Sequence, residues 1–296
     1  MTPSKTGAPE GVLVVDKPAG MTSHDVVDEV RRRLRTRKVG HGGTLDPDAT
    51  GVLVLGIGRA TRLLSFNQSA PKRYRAKALF GLVTSTQDAS GEVIERTAPK
   101  FDQLELEVQL KTFTGEIEQV PPMVSAVKVG GERLYKAARR GEEVERVARP
   151  VTVYNFELVR FDPDMYVAEF DVVCSGGTYV RTLVHDVGAA LKCGAHLTSL
   201  RRTGAGSFTE EDAVSLDEVD PGRLRPLEDA VRDLPRIDLD EASARKVGHG
   251  RSLDWAPDEG GELEEEAFVA LFGDDRLLAV YVRRGDELVP DRVLAA

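Results

Sequence analysis

The chain has 296 residues, of which 41% are hydrophobic and 30% are charged, as in globular proteins that bury a large core. No apolar run approaches the roughly 20 residues that span a bilayer. The first ten residues lack the basic start and apolar centre of a signal peptide, so we expect a cytoplasmic protein. The two cysteines, Cys174 and Cys193, are too few for a disulfide framework, and no Cys/His cluster has the spacing of a zinc site.

The net charge of −9 would argue against a nucleic-acid partner if it were spread evenly, and it is not. Residues 231–296 include 16 acidic and 9 basic side chains, whereas residues 1–230 include 33 and 31. The acidity is therefore concentrated near the C-terminus. Local clusters of cations, rather than the net charge, decide whether the chain can bind a nucleic acid.

The N-terminal residues predict a strand, a loop and a basic helix. Residues 11–15 form a continuous apolar run that is typical of a buried strand. Ser23 is a suitable N-cap for a helix over residues 24–34, where apolar residues recur at helical spacing. Six of the eight residues 31–38 are cations. They suit either a solvated helix end near the negative pole of the helix dipole or a phosphate-binding patch.

Residues 40–53 combine four glycines with His41, Asp46, Pro47 and Asp48, and they lead into an apolar segment. Glycine lets the main chain approach a ligand closely. Pro47 fixes its own φ and restricts the conformation of Asp46. Composition alone would favour an ordinary turn before a strand. With the cationic and aromatic segments around it, the stretch predicts a rigid loop that presents Asp46.

The segment 72–80 alternates polar and apolar residues and predicts a half-exposed strand. It places Tyr74 among four cations, an arrangement that suits a base stacked on the ring while the cations hold the RNA backbone. Simple packing of Tyr74 against the core is the alternative interpretation.

In residues 177–186 a glycine-rich turn opens a helix on which Arg181 lies among apolar residues. An inward arginine needs an anionic partner, because an unpaired buried charge is costly. The alternative is a side chain that extends to the surface.

The remaining patterns predict strands, helices and loops around these motifs. In chain order they are a polar loop at 81–91, a helix at 101–110, a basic insert at about 121–150, paired strands at 151–161 and 165–174, a strand at 195–204, a charged connecting helix at 221–235 and a hairpin at 268–282. We divide the chain into a catalytic domain of residues 1–230 and a C-terminal domain of residues 231–296.

Several classes of function fit these features. Asp46 and Asp48 could be an acid/base pair of a hydrolase, but alternate positions on an extended chain point to opposite sides. Nucleophile-elbow, phosphate-loop and dinucleotide-binding motifs are absent from the sequence. A carboxylate enzyme acting on a nucleic-acid base fits the cations and aromatics better. An RNA-binding or RNA-folding factor without essential chemistry is the other class.

The chain resembles the bacterial tRNA pseudouridine synthase B family, whose members form pseudouridine 55 in the TΨC arm of tRNA. The segment around Asp46 is highly specific for that family. The matching segments follow the family's order and are residues 16–23, 38–53, 72–74, 124–128, 131–135, 177–181, 194–197 and 200–202.

The resemblance implies an α+β fold with a mixed, largely antiparallel sheet flanked by helices, followed by a small β-rich, PUA-like C-terminal domain. It implies that Asp46 attacks or abstracts a proton, that Arg181 pairs with it and keeps it ionised, and that Tyr74 stacks on a flipped uracil and belongs with them to the catalytic group. The other residues of the implied substrate site are His41, Tyr179, Leu200, Lys17, Gly43 and Thr44.

The resemblance also bears on cofactors and partners. The isomerisation requires no metal or cofactor, and the implied partner is the TΨC stem-loop of tRNA. A related branch of the superfamily depends on guide RNA, but the short C-terminal domain and the lack of basic tails favour the stand-alone branch. We therefore expect a monomer that needs no protein partner, with an acidic C-terminal domain that contributes little binding energy.

Overall fold

The computed structural model describes residues 8–123, 128–129, 132–133, 140, 144–255 and 263–294. In these residues the strands are β1 Gly11–Lys17, β2 Val39–His41, β3 Thr50–Ile57, β4 Lys72–Phe80, β5 Leu82–Thr84, β6 Val93–Arg96, β7 Gly115–Gln119, β8 Lys128–Val129, β9 Glu132–Arg133, β10 Arg149–Asp162, β11 Val167–Cys174, β12 Ala195–Ala205, β13 Phe208–Thr209, β14 Val214–Ser215, β15 Arg236–Asp238, β16 Leu253–Asp254, β17 Phe268–Gly273, β18 Arg276–Arg284 and β19 Glu287–Val293. The α-helices are α1 Ser23–Leu34, α2 Leu64–Ser69, α3 Gln103–Thr112, α4 Val180–Ala190 and α5 Glu241–Gly248. Short 3-10 helices cover Gly58–Leu63, Glu210–Asp212, Leu216–Glu218, Pro221–Arg223 and Leu227–Val231.

One mixed sheet organises the N-terminal part of the chain. Its strands follow the order β14-β1-β3-β12-β4-β11-β10-β7, with β2 paired to β3 and β13 paired to β12. The β1–β14 and β12–β3 pairs are parallel and the others are antiparallel. α1 shares a buried cluster with β1 and β3, and α3 and α4 share another with β4, β10 and β11. The predicted mixed, largely antiparallel sheet flanked by helices is therefore confirmed.

The alternation along β4 explains why Tyr74 faces the interior. Tyr74, Ala76, Ala78 and Phe80 are buried, whereas the side chains between them are more exposed. Successive side chains of a strand point to opposite faces of the sheet, so a residue pattern of period two selects one buried face. The antiparallel neighbour β12 then brings Leu200 beside Ala76.

The helix α1 begins one residue earlier than a Ser23 cap would require. Its N-cap is Thr22, whose hydroxyl accepts a hydrogen bond from the Asp25 N–H at 3.1 Å while the Asp25 carboxylate accepts one from the Thr22 N–H at 2.8 Å. This capping box needs an acidic residue three positions after the cap, which selects Thr22. Ser23 is buried instead, and its hydroxyl accepts from the Leu45 N–H at 2.8 Å and donates to the Leu45 carbonyl at 3.2 Å.

A second, five-stranded sheet has the order β15-β17-β18-β19-β16. The predicted hairpin is confirmed by the antiparallel pairing of β17 with β18. Residues of both sheets, such as Val54 and Val280, belong to one buried cluster, and the rings of Phe66 and Phe268 meet edge to face at 5.1 Å. The small sheet is therefore packed on the large one. The division at residue 230 stays a prediction, and it falls between the last strand of the large sheet and the first strand of the small one.

The predicted connecting helix at 221–235 is wrong. The segment forms two 3-10 turns, Pro221–Arg223 and Leu227–Val231, separated by Pro226. Proline disfavours helical geometry in the residue before it. That residue, Arg225, exchanges two backbone hydrogen bonds with Val12 instead. Half of the predicted basic insert at about 121–150 lies outside the described residues. Throughout the described ranges, we find no helix with both the length and the hydropathy to cross a bilayer.

Candidate active site

Asp46 lies in the loop between β2 and β3, which packs tightly on the elements beneath it. A Cβ on Gly42 would come within 2.4 Å of the side-chain oxygen of Asn67 in α2. Gly51 has φ +100°, and a Cβ there would lie 2.2 Å from the Arg202 carbonyl of β12. At these two positions glycine lets the main chain approach the protein itself rather than a ligand. The Asp46 side chain remains 39% exposed.

Lys17 stabilises the Asp46 loop through hydrogen bonds to main-chain carbonyls. Its side chain has no exposed surface, and the ammonium group donates to the carbonyls of Pro18 at 2.8 Å, Met21 at 2.5 Å and Pro47 at 2.8 Å. Burial lowers the pKa of Lys17 to about 8. All three ammonium hydrogens are thus engaged within the protein. The sequence analysis assigned Lys17 to substrate binding, whereas the structure places it between two loops.

Arg181 is the second residue of α4, and its guanidinium reaches Asp46. The Nη2 atom is 3.2 Å from Oδ1 of Asp46, and the arginine side chain is only 4% exposed. The start of α4 is held by the buried Gln119, whose side chain accepts from the Tyr179 N–H at 2.8 Å and donates to the Tyr179 carbonyl at 3.1 Å. The structure therefore brings the inward arginine and the loop carboxylate together.

A second carboxylate, Asp88, binds the other side of the same guanidinium. Its Oδ2 is 3.2 Å from Arg181 Nη1. Its Oδ1 accepts hydrogen bonds from the hydroxyls of Thr86 and Ser90, both at 2.6 Å, and from the Ser90 N–H at 3.0 Å. Sequence reasoning missed Asp88, which it left in a polar loop. The unmet charge of an inward arginine was the available signal, but it could not select one partner among 49 acidic residues.

The two carboxylates have opposite pKa shifts. Burial raises the pKa of Asp46, and although Arg181 lowers it, the pKa stays above its ordinary value, with the charge of Asp88 adding to the rise. The expected effect of Arg181 is therefore present but smaller than that of burial. Burial also raises the pKa of Asp88, but hydrogen bonds from Ser90 and Thr86 and the charge of Arg181 outweigh it, so the pKa is lowered. As the pH falls, Asp46 gains a proton before Asp88 does.

The aromatic candidates lie around this pair. Tyr74 is 9% exposed and belongs to the same buried cluster as Leu45, next to Asp46 in the chain. Burial raises the pKa of the Tyr74 phenol, which stays neutral. The charge and a hydrogen bond of Arg202 oppose that rise, and the charge of Asp46 adds to it. The Tyr179 ring centroid is 5.8 Å from the Arg181 guanidinium carbon. Leu200 is half-buried and packs against the same cluster as Tyr74.

The remaining candidates lie on the loop and beside it. Gly43 and His41 are half-buried and Thr44 is exposed. His41 also lines a groove of about 610 Å³ that runs beside α1 and the start of α2. Five cations line this groove: Arg31, Arg37, Lys38, Arg62 and Arg292. The last of them belongs to β19 of the small sheet.

The structure divides the basic segment 31–38 into two parts. Arg31, Arg32 and Arg33 form ion pairs with nearby carboxylates at distances of 2.9, 2.5 and 2.6 Å. Arg37 and Lys38 are exposed and face the groove. The ion pairs fit the interpretation of a charged helix end, and phosphate binding by Arg37 and Lys38 stays a prediction. In the part of the chain that the structure describes, no three His, Cys, Asp or Glu side chains come together as a metal site would require.

Comparison with known proteins identifies the family. The family model of the TruB family pseudouridylate synthase N-terminal domain matches residues 31–180, and that of the tRNA pseudouridylate synthase B C-terminal domain matches residues 181–233. The chain belongs to the TruB family of pseudouridylate synthases. The resemblance described above is thus confirmed.

Curated TruB relatives match nearly the whole chain. Proteins named tRNA pseudouridine synthase B from Streptococcus sanguinis (strain SK36) and Thermobifida fusca (strain YX) are 42% and 46% identical to it, over 96% and 97% of this chain and 99% of each relative. Similar solved structures include a chain of a Cbf5-Nop10-Gar1 complex, with a TM-score of 0.75 and 28% identity over 97% of this chain and 85% of that chain. A chain of an H/ACA RNP bound to a substrate RNA containing 2'-deoxyuridine has a TM-score of 0.73 and 26% identity, over 98% of this chain and 86% of its own.

Proposed function

We propose that this protein converts uridine 55 in the TΨC arm of tRNA to pseudouridine. The observation that carries the proposal is the contact between the loop carboxylate Asp46 and the buried Arg181, at 3.2 Å, in a chain of the TruB family. The names of the relatives that match along nearly their whole length support tRNA as the substrate. The reaction cuts the N1–C1′ bond, turns the uracil and rejoins it through C5, so no atom is gained or lost and no redox agent is consumed.

Asp46 performs the chemistry in this proposal, as a nucleophile or as a base that removes a proton from the sugar. Either role needs the ionised carboxylate. Arg181 stabilises that form and fixes its orientation, because the guanidinium is itself held on its other side by Asp88. Burial disfavours the ionised form, because it raises the pKa of Asp46. The same higher pKa makes the carboxylate a stronger base once it is ionised.

The target uridine must leave the RNA stack to reach Asp46, at a cost of a few kcal/mol. Stacking on an aromatic ring returns about 1–3 kcal/mol per base. Tyr74 supplies this ring, since it lies in the sheet next to the loop of Asp46. Tyr179 and Leu200 form further walls of the base pocket in this proposal. The half-buried position of both side chains supports that role.

The loop contributes His41, Gly43 and Thr44 to RNA binding in the same proposal. His41 would hold the opened RNA loop, and the exposed Thr44 and half-buried Gly43 would contact RNA. We propose a different role for Lys17. Because its ammonium group is bound to three carbonyls beneath the loop, it supports RNA binding by fixing the loop rather than by touching RNA.

The groove beside His41 is suited to the RNA backbone. Its cations Arg37, Lys38 and Arg62 are exposed, and Arg292 brings a further positive charge from the small sheet. Phosphate contacts of this kind position nucleic acids without reading the sequence. We infer that the C-terminal domain, which we take to be PUA-like, adds to RNA binding through this edge in spite of its net negative charge.

We further propose that the protein acts as a cytoplasmic monomer without a protein partner. Its similar solved structures belong to ribonucleoprotein complexes. Its more similar curated relatives are named for tRNA rather than for such a complex. An acid/base carboxylate and a stacking ring within one chain also suffice for the proposed reaction.

The deciding experiment is incubation of the protein with an unmodified tRNA transcript, followed by chemical mapping of pseudouridine. We expect product at position 55 with the wild-type protein. Asp46→Asn should reduce single-turnover product formation more than about 10³-fold while the variant still binds the transcript. Asp48→Asn is the matched control, because Asp48 is exposed two residues further along the same turn and should stay within about threefold of wild type.

Other outcomes would point to other functions. A wild-type protein that binds tRNA without producing pseudouridine would contradict the enzyme proposal and favour an RNA-binding factor. Product at a uridine other than 55 would support the proposed reaction but contradict the proposed position in tRNA. Equal losses in Asp46→Asn and Asp48→Asn would favour a pair of cooperating carboxylates.

A further inference from the structure

Arg202 is a second buried arginine near the proposed active site, and it differs from Arg181 in what surrounds it. Its residue is 2% exposed, and it is among the largest fully buried side chains of the described chain. It lies opposite Tyr74 in the β12–β4 pair, directly before an irregularity in the register between Arg202 and Gly204. Such irregularities redirect side chains and are common beside active sites.

The guanidinium of Arg202 is directed under the loop that bears Asp46. Its Nε donates to the Val52 carbonyl at 2.6 Å, its Nη2 to the Gly43 carbonyl at 3.2 Å and its Nη1 to the Thr44 carbonyl at 3.5 Å. Two of these acceptors precede Asp46 by three and two residues, and the third lies in the buried part of β3. The arginine therefore joins both ends of the loop.

The loop needs such a donor, because its inward carbonyls have no strand partner of their own at Gly43 and Thr44. Buried carbonyls that lack a hydrogen bond cost free energy. Gly43 has φ +140°, and a Cβ on it would lie 3.6 Å from Arg202 Nη1. The loop thus rests directly on the guanidinium. The planar, five-donor fork of arginine suits acceptors that diverge in this way, whereas an ammonium group is a single point.

We propose that Arg202 is a positioning residue for pseudouridine formation, which sets the path of residues 43 and 44 and so aims Asp46 at the base stacked on Tyr74. This inference rests on the proposed function. A displacement of about 1 Å at the reacting atoms can cost about 10²-fold in rate. Arg202 needs no contact with RNA to have that effect.

Arg202 acts through geometry rather than through charge on Asp46. The charges that bear on the Asp46 pKa are those of Arg181, Asp88, Lys17 and Asp48, after the larger effect of burial. A change at Arg202 should therefore lower the rate without moving the acid limb of the pH–rate profile. A change at Arg181 should lower the rate and also move the acid limb of the profile.

The test compares Arg202→Lys and Arg202→Gln with the same changes at Arg201. Arg201 is the neighbour on β12, but its side chain is 37% exposed and forms ion pairs with Asp16 and Glu210. It donates to the Thr50 hydroxyl at 3.3 Å rather than to the carbonyls that Arg202 binds. Single-turnover rates on tRNA transcript would be measured across pH, with tRNA Kd and melting temperature for each variant. Arg202→Lys should lose about 100-fold in rate. Its Kd should stay within about threefold of wild type and its acid limb should not move, while Arg201→Lys keeps a rate within about threefold of wild type.

Each alternative outcome overturns the inference. A folded Arg202→Lys with a wild-type rate would remove the positioning role, and a loss confined to Kd would make Arg202 an RNA-binding residue. A shifted acid limb would make its effect electrostatic. If Arg202→Gln does not fold, Arg202→Lys decides alone, and failure of both to fold would make Arg202 a folding residue. The wild-type reaction tests the proposed function separately, because absence of pseudouridine there refutes that function, whereas equal rates in wild type and variant refute only the positioning role.

Discussion

The buried cations of the site and the exposed cations of the groove differ in what neutralises them. Arg181 is held between Asp46 and Asp88, and Arg202 is held by main-chain carbonyls. Arg37 and Arg62 in the groove are exposed to solvent. A cation whose partners are built into the protein is fixed before RNA arrives, so its contribution appears in the rate. A cation that faces water exchanges ions for phosphates, so its contribution appears in affinity and salt dependence.

The two buried arginines also differ in the kind of group that binds their guanidinium. Both are nearly inaccessible, but carboxylates titrate and carbonyls do not. The surroundings of Arg181 therefore couple it to pH through Asp46, whose pKa burial raises. The surroundings of Arg202 couple it to the shape of the loop and to the phenol of Tyr74, whose pKa its charge and hydrogen bond lower. Two residues of the same type, both in contact with the loop of Asp46, thus have separable consequences.

The largest effect is expected from Arg181→Lys. A lysine cannot span two carboxylates that each lie 3.2 Å from a different nitrogen of the guanidinium. Breaking a buried charge pair costs about 3–5 kcal/mol, so we expect a loss of at least about 100-fold in single-turnover rate. The acid limb should move to higher pH, because a lysine ammonium cannot hold both carboxylates and so lowers the Asp46 pKa less than the guanidinium does.

The measurement is the single-turnover rate across pH, with tRNA Kd measured alongside. Arg75→Lys is a suitable control, because Arg75 also pairs with an aspartate but is exposed on the outer face of β4. A near-wild-type rate in Arg181→Lys, or a loss found only in Kd, would break the distinction between buried and exposed cations.

An intermediate effect is expected from Asp88→Asn. The change leaves Arg181 with one charged partner, and we expect about a tenfold lower rate at neutral pH. The charge of Asp88 raises the Asp46 pKa, so its removal should lower that pKa. Since activity needs ionised Asp46, the acid limb should move to lower pH, opposite to its movement in Arg181→Lys. Glu92→Gln in the same loop is exposed and serves as the control.

The pH profile of each protein gives the decisive measurement for Asp88. An acid limb that moves upward in Asp88→Asn would mean that loss of Arg181 orientation outweighs loss of the nearby charge. If neither the rate nor the acid limb of the pH profile changes, Asp88 has no role in the proposed active site.

The smallest effect is expected from Arg292→Ala. Loss of one phosphate contact should weaken tRNA binding and reduce the slope of log K against log salt concentration by about 1. The single-turnover rate at saturating protein should not change. The matched control is Arg284→Ala in the same sheet. Each arginine pairs with a carboxylate at 3.2 Å, Arg292 with Asp291 and Arg284 with Glu266, but Arg284 does not line the groove. Binding measured by filter retention at several salt concentrations distinguishes the two, and identical slopes would remove the small sheet from RNA binding.

Much of the local structure follows from the sequence. The alternation of residues 72–80 predicts β4 and the buried face of Tyr74, and the apolar runs at 151–161 and 165–174 predict β10 and β11. These patterns succeed because side-chain periodicity acts within a few residues. The prediction fails at residues 221–235, where Pro226 interrupts a helix, and at Ser23, where Asp25 selects the neighbouring Thr22 as the cap.

The candidate site was only partly predictable. The segment around Asp46 and the inward Arg181 were available from local chemistry and family resemblance, because glycines, a proline and a charge on an apolar helix face are visible in the sequence. The sequence did not show that Asp88 also pairs with Arg181, since Asp88 is 93 residues away and is one of 49 acidic residues. The sequence also did not show that Lys17, which was expected to bind substrate, and Arg202 are buried under the loop.

The sequence by itself determined the longer strands and the glycine-rich loop, since these depend on interactions between near neighbours, and the family resemblance selected Asp46 rather than Asp48 as the expected reacting carboxylate. Only the tertiary structure decided how that carboxylate is held. It set Arg181 between two carboxylates, turned Arg202 towards carbonyls and brought Arg292 of the small sheet to the groove. The physical reason is that a buried charge takes the partners that the completed fold brings within reach, and chain distance does not restrict that choice.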